Sequence, residues 1–165
     1  MASYAFRTEW RIAAPVERVF ELVHDSLAWP EWWPAVTRVE QLRPATSGTA
    51  MGSVLRYTFK GRLPYTLTFD MLVDRDEPPV HMGGRASGEL EGTGLWSLRE
   101  EDGLTIARYD WNIRTTAWWM NLFAPLARGI FTSNHDFVMR SGAEGLGRRL
   151  GVPVEQVELH QAARA

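Results

Sequence analysis

The segment Trp118 to Leu150, WWMNLFAPLARGIFTSNHDFVMRSGAEGLGRRL, is the only long stretch of this chain with sustained helical periodicity, and it limits what the rest can build. At about 100° per residue, Leu126, Ala127, Ile130, Phe131, Asn134, Phe137, Val138, Ser141 and Gly145 gather on one face, with Arg128, Asp136 and Arg140 elsewhere. Asn134 lies near the centre of that face. A buried amide left without partners costs about 1–3 kcal/mol, so either the protein or a ligand must bond to it. Pro125 predicts a kink or a fresh first turn, and Gly151 followed by Pro153 ends the helix. From Pro125 to Leu150 such a helix runs about 39 Å, enough to cross seven strands spaced at about 4.8 Å.

Almost everything before Trp118 reads as strand. Tyr4, Phe6, Thr8, Trp10 and Ile12 alternate with polar neighbours, which marks a half-buried strand. Pro15, Glu17 and the apolar set Val16, Val19, Phe20 and Val23 predict a short helix after it. The prolines of LAWPEWWP restrict the next piece to a turn or two, with its tryptophans closing one end of the core. Strands are then expected over Val36 to Leu42, Ser53 to Phe59, Tyr65 to Asp74, Val80 to Leu90, Glu91 to Glu100 and Leu104 to Arg114, seven in all with the first. Their alternation turns Tyr57, Phe69, Trp96, Tyr109 and Trp111 inward. Thr115 and Thr116 are the expected caps of the terminal helical segment.

Length and composition set the outer bounds. A chain of 165 residues buries a core without staples, so one domain over residues 1–151 is expected, with 152–165 as a frayed tail or loosely docked turn. The chain has no cysteine, which excludes disulfides, thiol catalysis and zinc–thiolate sites. No apolar run of signal-peptide type and no integral membrane segment is present, so the default expectation is a soluble cytoplasmic protein. A net charge of −2 with the signs interspersed argues against nucleic acid as a partner. Eight tryptophans imply an aromatic core or the walls of an apolar pocket.

Standard catalytic signatures are missing. The chain has no HExxH, GxSxG or GxxxxGK[ST], and neither a metal nor a cofactor is expected. Gly92-Thr93-Gly94 leads into a strand and not a helix, so its glycines either permit a bend or leave room beside a cavity. His135 and Asp136 are neighbours in sequence and therefore do not face each other on a helix. On the helical wheel His135 falls at the border of the buried face and is expected to be satisfied locally, whereas Asp136 points outward as a solvated charge. Gly142, Gly145 and Gly147 each disfavour helix by up to about 1 kcal/mol, which close packing against the sheet would offset.

One strand, short helices, a run of antiparallel strands and a long terminal helix make an α+β layout. That order, together with APVERVFELV and WPEWWP, GTGLWSL, TIARYDWNI and the whole of WWMNLFAPLARGIFTSNHDFVMRSGAEGLGRRLG, resembles the START-like (helix-grip, SRPBCC) superfamily of polyketide cyclase/dehydrase and lipid-transport proteins. The resemblance covers Tyr4 to Gly151. It implies a curved seven-stranded antiparallel sheet wrapped around the long C-terminal helix, with a deep apolar cavity between them. Tyr57, Phe69, Trp96, Tyr109, Trp111, Phe131, Asn134 and Val138 are then the expected lining, and a hydrophobic or polycyclic small molecule the expected partner. The alternative is a cyclase/dehydratase that folds a polyketone, with Tyr109 as acid, His135 as base and Asn134 orienting a carbonyl. A third reading, an interaction module without ligand, predicts a filled cavity.

Overall fold

The structure, a computed structural model, describes residues 3–46 and 48–159. The first strand, β1 (Ser3–Ile12), buries Tyr4, Thr8, Trp10 and Ile12, the side that its alternation predicts. Extended Pro15 starts α1 (Val16–His24), which buries Val19, Phe20 and Val23. A 3-10 turn, Ser26–Ala28, leads into the single turn α2 (Trp29–Trp32), where Pro30 sits in the first turn and so loses no helical hydrogen bond. Trp29, Trp32 and Trp33 are all buried and close one end of the core.

Six strands follow: β2 (Val36–Arg43), β3 (Val54–Phe59), β4 (Leu67–Glu77), β5 (His81–Gly88), β6 (Leu90–Glu101) and β7 (Leu104–Thr115). Each pairs antiparallel with the next, and β7 pairs with β1. The β6–β7 hairpin is in register from Leu90↔Thr115 to Glu101↔Leu104. Its turn needs Asp102 and Gly103 at φ 51° and 78°, which suits a short polar side chain followed by glycine.

The sheet has eight strands, not seven. Val154–Glu158, expected as a frayed tail or an extra turn, is β8 and pairs antiparallel with β1 from Ile12↔Val154 to Thr8↔Glu158. The sheet order is therefore β2-β3-β4-β5-β6-β7-β1-β8. The expected domain boundary after Gly151 thus cuts through the sheet; residues 160–165 of the expected tail lie outside the described residues. β8 escapes a pattern search because its inward side chains are polar. Gln156 Oε1 accepts from the indole N–H of fully buried Trp10 at 3.1 Å, and Glu158 accepts from the Thr8 hydroxyl at 2.9 Å.

The terminal segment divides at Phe123 (φ −102°, ψ 20°) into α3 (Trp118–Leu122) and α4 (Ala124–Leu150), with Pro125 in the first turn of α4. Gly151 ends α4 in the left-handed conformation, φ 68°. The threonines do not cap α3. Ala117 holds the cap position, Thr116 donates to the Gly88 carbonyl, and Thr115 donates to the Asn121 side chain.

The inward face of α4 is turned by roughly one residue from the expected one. Phe131, Val138, Met139 and Leu146 are buried, whereas Leu126, Ile130 and Phe137 are exposed. The approach of α2 to α4 sets this rotation. The Trp33 indole N–H donates to the Val138 carbonyl at 2.9 Å. A Cβ at Gly142 would stand 2.6 Å from the Trp33 ring, and one at Gly145 would collide with the Trp32 carbonyl oxygen. The helix glycines are therefore offset by close packing against both the sheet and the WPEWWP segment: Gly142 meets Trp10 of β1 and Trp33, Gly145 meets Trp32, and Gly147 meets Val152 and Val154.

Candidate functional site: an uncharged aromatic cavity

Between α4 and the inward side of the sheet lie two adjoining chambers with shared walls, of about 80 Å³ and about 50 Å³. Either exceeds several times the roughly 10–15 Å³ that one water needs, so the filled interior of a pure interaction module is not what the chain builds. The outer chamber lies against Tyr65, Leu67, Leu90 and the α4 residues Phe131, Asn134, His135 and Val138. The inner one continues to Tyr57, Met71 and Met82. Phe69, Trp96 and Tyr109 border both chambers, and Trp111 borders the outer. All eight residues expected as lining thus face the cavity. Sequence reasoning misses Trp29, Phe59 and Tyr65. For Phe59 the signal is there, since strand alternation puts it on the side of Tyr57.

The walls are stacked rings. Tyr109 lies between Trp96 (4.6 Å) and Trp111 (5.8 Å), and Phe69 packs on Tyr57 (5.8 Å) and Phe59 (5.7 Å). Among the described residues, no charged side chain lines either chamber. The polar groups are few, and each has a different state. The Tyr57 hydroxyl donates to Ser26 Oγ at 2.8 Å, and burial pushes its pKa up to about 12 despite that bond. The Tyr109 hydroxyl makes no hydrogen bond among the described residues, and burial, with Tyr57 nearby, raises its pKa well above the usual phenol range. Gly94 gives this hydroxyl its room, since a Cβ there would stand 2.5 Å from the Tyr109 oxygen. Of the two roles offered for the Gly92 and Gly94 pair, Gly94 leaves space. Gly92, at φ 147° and with its would-be Cβ against the Asn112 carbonyl, permits the bend.

Asn134 is buried and shared between two tasks. Its Oδ1 accepts from the backbone N–H of Arg62 at 3.0 Å, tying the loop 60–66 to α4 across the outer chamber. The contact is possible only because residue 61 is glycine, where a Cβ would collide with that oxygen. The amide nitrogen is left for the chamber that Asn134 lines.

His135 departs most from expectation. It is half-buried at the border of the inward face, with its ring stacked on Phe6 at 4.0 Å, but it is not satisfied there. Its Nε2 is shielded and has no hydrogen-bond partner among the described residues. Burial pulls its pKa down to about 3, so the imidazole is neutral at physiological pH. The expected solvated charge on Asp136 is corrected too, because that residue is half-buried at the α4–β8 contact, where its carbonyl faces Gln156. No group of three or more His, Asp or Glu positioned to hold a metal occurs among the described residues.

The fold recurs in known proteins. The model of the polyketide cyclase/dehydrase and lipid transport family matches residues 4–151. No curated protein sequence matches. Among solved structures, the Zhui aromatase/cyclase from Streptomyces sp. R1128 superimposes with a TM-score of 0.67 at 17% identity, over 89% of this chain and 93% of that one. A START superfamily protein from Mycobacterium smegmatis gives a TM-score of 0.68 at 15% identity, over 90% and 97% of the two chains. A protein from Thermus thermophilus gives 0.69 at 17% identity, over 88% and 99%. At such identities these likenesses establish the helix-grip fold, and the family match adds the lineage: the chain belongs to the polyketide cyclase/dehydrase and lipid transport family.

Proposed function

We propose that this protein binds a neutral, largely apolar ring compound carrying one or two oxygen functions, in the manner of a carrier or sensor. The observation that supports it is a cavity walled by stacked aromatics with no charge among the described residues, its neutral polar groups including Tyr109, Asn134 and His135. An ionised ligand would lose its hydration without a counter-charge, at a cost of several kcal/mol. A neutral carbonyl or hydroxyl could accept from Tyr109 or from the Asn134 amide, and a hydroxyl could also donate to the imidazole. The chambers are slender, so a polycyclic ligand requires the loop 60–66 to move out, and the Asn134–Arg62 hydrogen bond is the contact that must break.

The same residues read as a cyclase/dehydratase site when the fold shared with an aromatase/cyclase is given weight. Their pKa values speak against it. Proton transfer is most effective when acid and base titrate near the working pH. Here the base candidate His135 has been pulled down to about 3 and the acid candidate Tyr109 raised.

Native mass spectrometry of protein purified from its own host, paired with displacement of an apolar fluorescent dye, tests the binding reading. A bound neutral aromatic mass, and displacement by neutral ring compounds at concentrations at least about tenfold below their carboxylate analogues, is the expected result. An empty protein that takes up no dye would refute it. Turnover of a polyketone that is lost in Tyr109→Phe and His135→Phe would replace it with the enzymatic reading.

A further inference from the structure

Among the described residues, six of the eleven large apolar side chains that stand exposed fall between Trp118 and Phe137. Trp118 and Leu126 are 73% and 76% exposed, so they protrude as knobs and do not line a groove. Helical spacing gathers them: Trp118 and Leu122 are one turn apart on α3, and Leu126, Ile130 and Phe137 lie within about 40° of one another on α4. Two cations stand with this patch. The Arg62 guanidinium covers the Phe137 ring at 5.4 Å, and Lys60 shares the loop of Arg62. Neither forms an ion pair among the described residues, whereas eleven other arginines do. No aspartate or glutamate occurs between Asp110 and Asp136, or between Phe59 and Asp70.

We propose that the face formed by α3 and the first half of α4 docks on an anionic membrane surface. The apolar knobs enter the boundary between headgroups and acyl chains, and Lys60 and Arg62 meet the lipid phosphates. Charge complementarity selects this occupant over a second copy of the chain. A two-fold contact would bring the same patch against itself and oppose two cations with two cations, with no acidic residue in either stretch of chain to pair them. Protruding side chains also suit a deformable lipid surface better than a protein partner, which must offer a matching hollow for each. Tyr65, which lines one of the chambers, packs on Trp119 of α3 at 4.6 Å, so the docked face borders the cavity. The proposal does not depend on what the cavity holds.

Co-sedimentation of the full chain with vesicles tests it, using phosphatidylcholine alone and phosphatidylcholine with one third phosphatidylglycerol. At about fivefold per cation near an anionic surface, two cations predict roughly a twenty-five-fold preference for the anionic vesicles at low salt, largely lost in high salt. Trp118→Ser and Leu126→Ser remove exposed side chains and leave the fold intact by circular dichroism; each should weaken vesicle binding severalfold, while Lys60→Glu with Arg62→Glu abolishes the anionic preference. Equal or absent binding to both vesicles, or binding unchanged in all of these variants, overturns the proposal. So does a dimer in solution that Leu126→Ser dissociates, which would show that a second copy covers the face.

Discussion

Tyr109 and His135 are the residues at which the cavity's chemistry can be measured directly. Tyr109 presents a hydroxyl with no protein partner among the described residues, in space that Gly94 leaves open. Tyr109→Phe should therefore leave folding stability within about 1 kcal/mol of the parent and weaken an oxygen-bearing ligand about fivefold, the effect of one neutral hydrogen bond. Displacement titrations with a ligand and its deoxy analogue check this, because only the former should lose affinity. His135 reports through stability. Its imidazole stays neutral in the folded protein until about pH 3, whereas in the unfolded chain it takes up a proton below about 6.5. The unfolded state thus binds more protons between those values, and stability falls as pH falls, by up to about 1.4 kcal/mol per unit. Urea midpoints should show the parent losing about 2 kcal/mol more than His135→Phe between pH 7 and pH 5. Equal losses would mean that the ring is hydrated in the folded state.

At the scale of elements, the contact between the short α2 and the long α4 decides which face of α4 sees the cavity. Gly145→Ala puts a methyl group against the Trp32 carbonyl, a backbone atom that cannot swing aside. Chemical denaturation should register a loss of about 3 kcal/mol, together with altered dye binding as α4 rotates. The alternative contact, Gly147→Ala, meets the Val152 carbonyl at 2.9 Å and should cost less. This junction also explains what the sequence could and could not reveal. Strand alternation carries β1, β3, β4, β6 and β7 and the inward aromatics, because one side of each strand is apolar and the other is not. In α4 the apolar residues cover too wide an arc. Leu126, Ile130 and Phe137 draw the apparent face toward themselves, placing Asn134 at its centre and His135 at its edge, yet all three are exposed. Nothing in the periodicity distinguishes an apolar stripe that packs inside from one that faces outward, and the deciding contacts come from residues a hundred positions away. Asn134 is legible as an amide needing a partner; that half of it holds a loop depends on Gly61, which carries no periodic signal.

For the molecule as a whole, β8 makes the chain's last described strand a neighbour of its first. It covers the free edge of β1, and its Gln156 satisfies the indole of the most buried tryptophan. A chain ending at Gly151 should therefore fold less stably by about 2–4 kcal/mol, from the lost ladder and an unbonded buried N–H, and should aggregate through the bared edge. Thermal melts and light scattering of the truncated chain measure both effects. Unchanged behaviour would show β8 to be dispensable to the domain.

The pairing of β1 with β8 also sets a timetable. Thr8 and Glu158 are separated by 150 positions, and a ribosome adding about 5–20 residues per second needs on the order of ten seconds to supply the second after the first. Through that interval Trp10 and its strand are outside the ribosome with one flank or both unpaired, in the extended state most apt to pair with another chain. β1 is thus made before the other strands and completed after them. Joining the present ends and opening the chain at Gly151 would place β8 just ahead of β1 in translation, and such a permutant should give more soluble protein than the natural order.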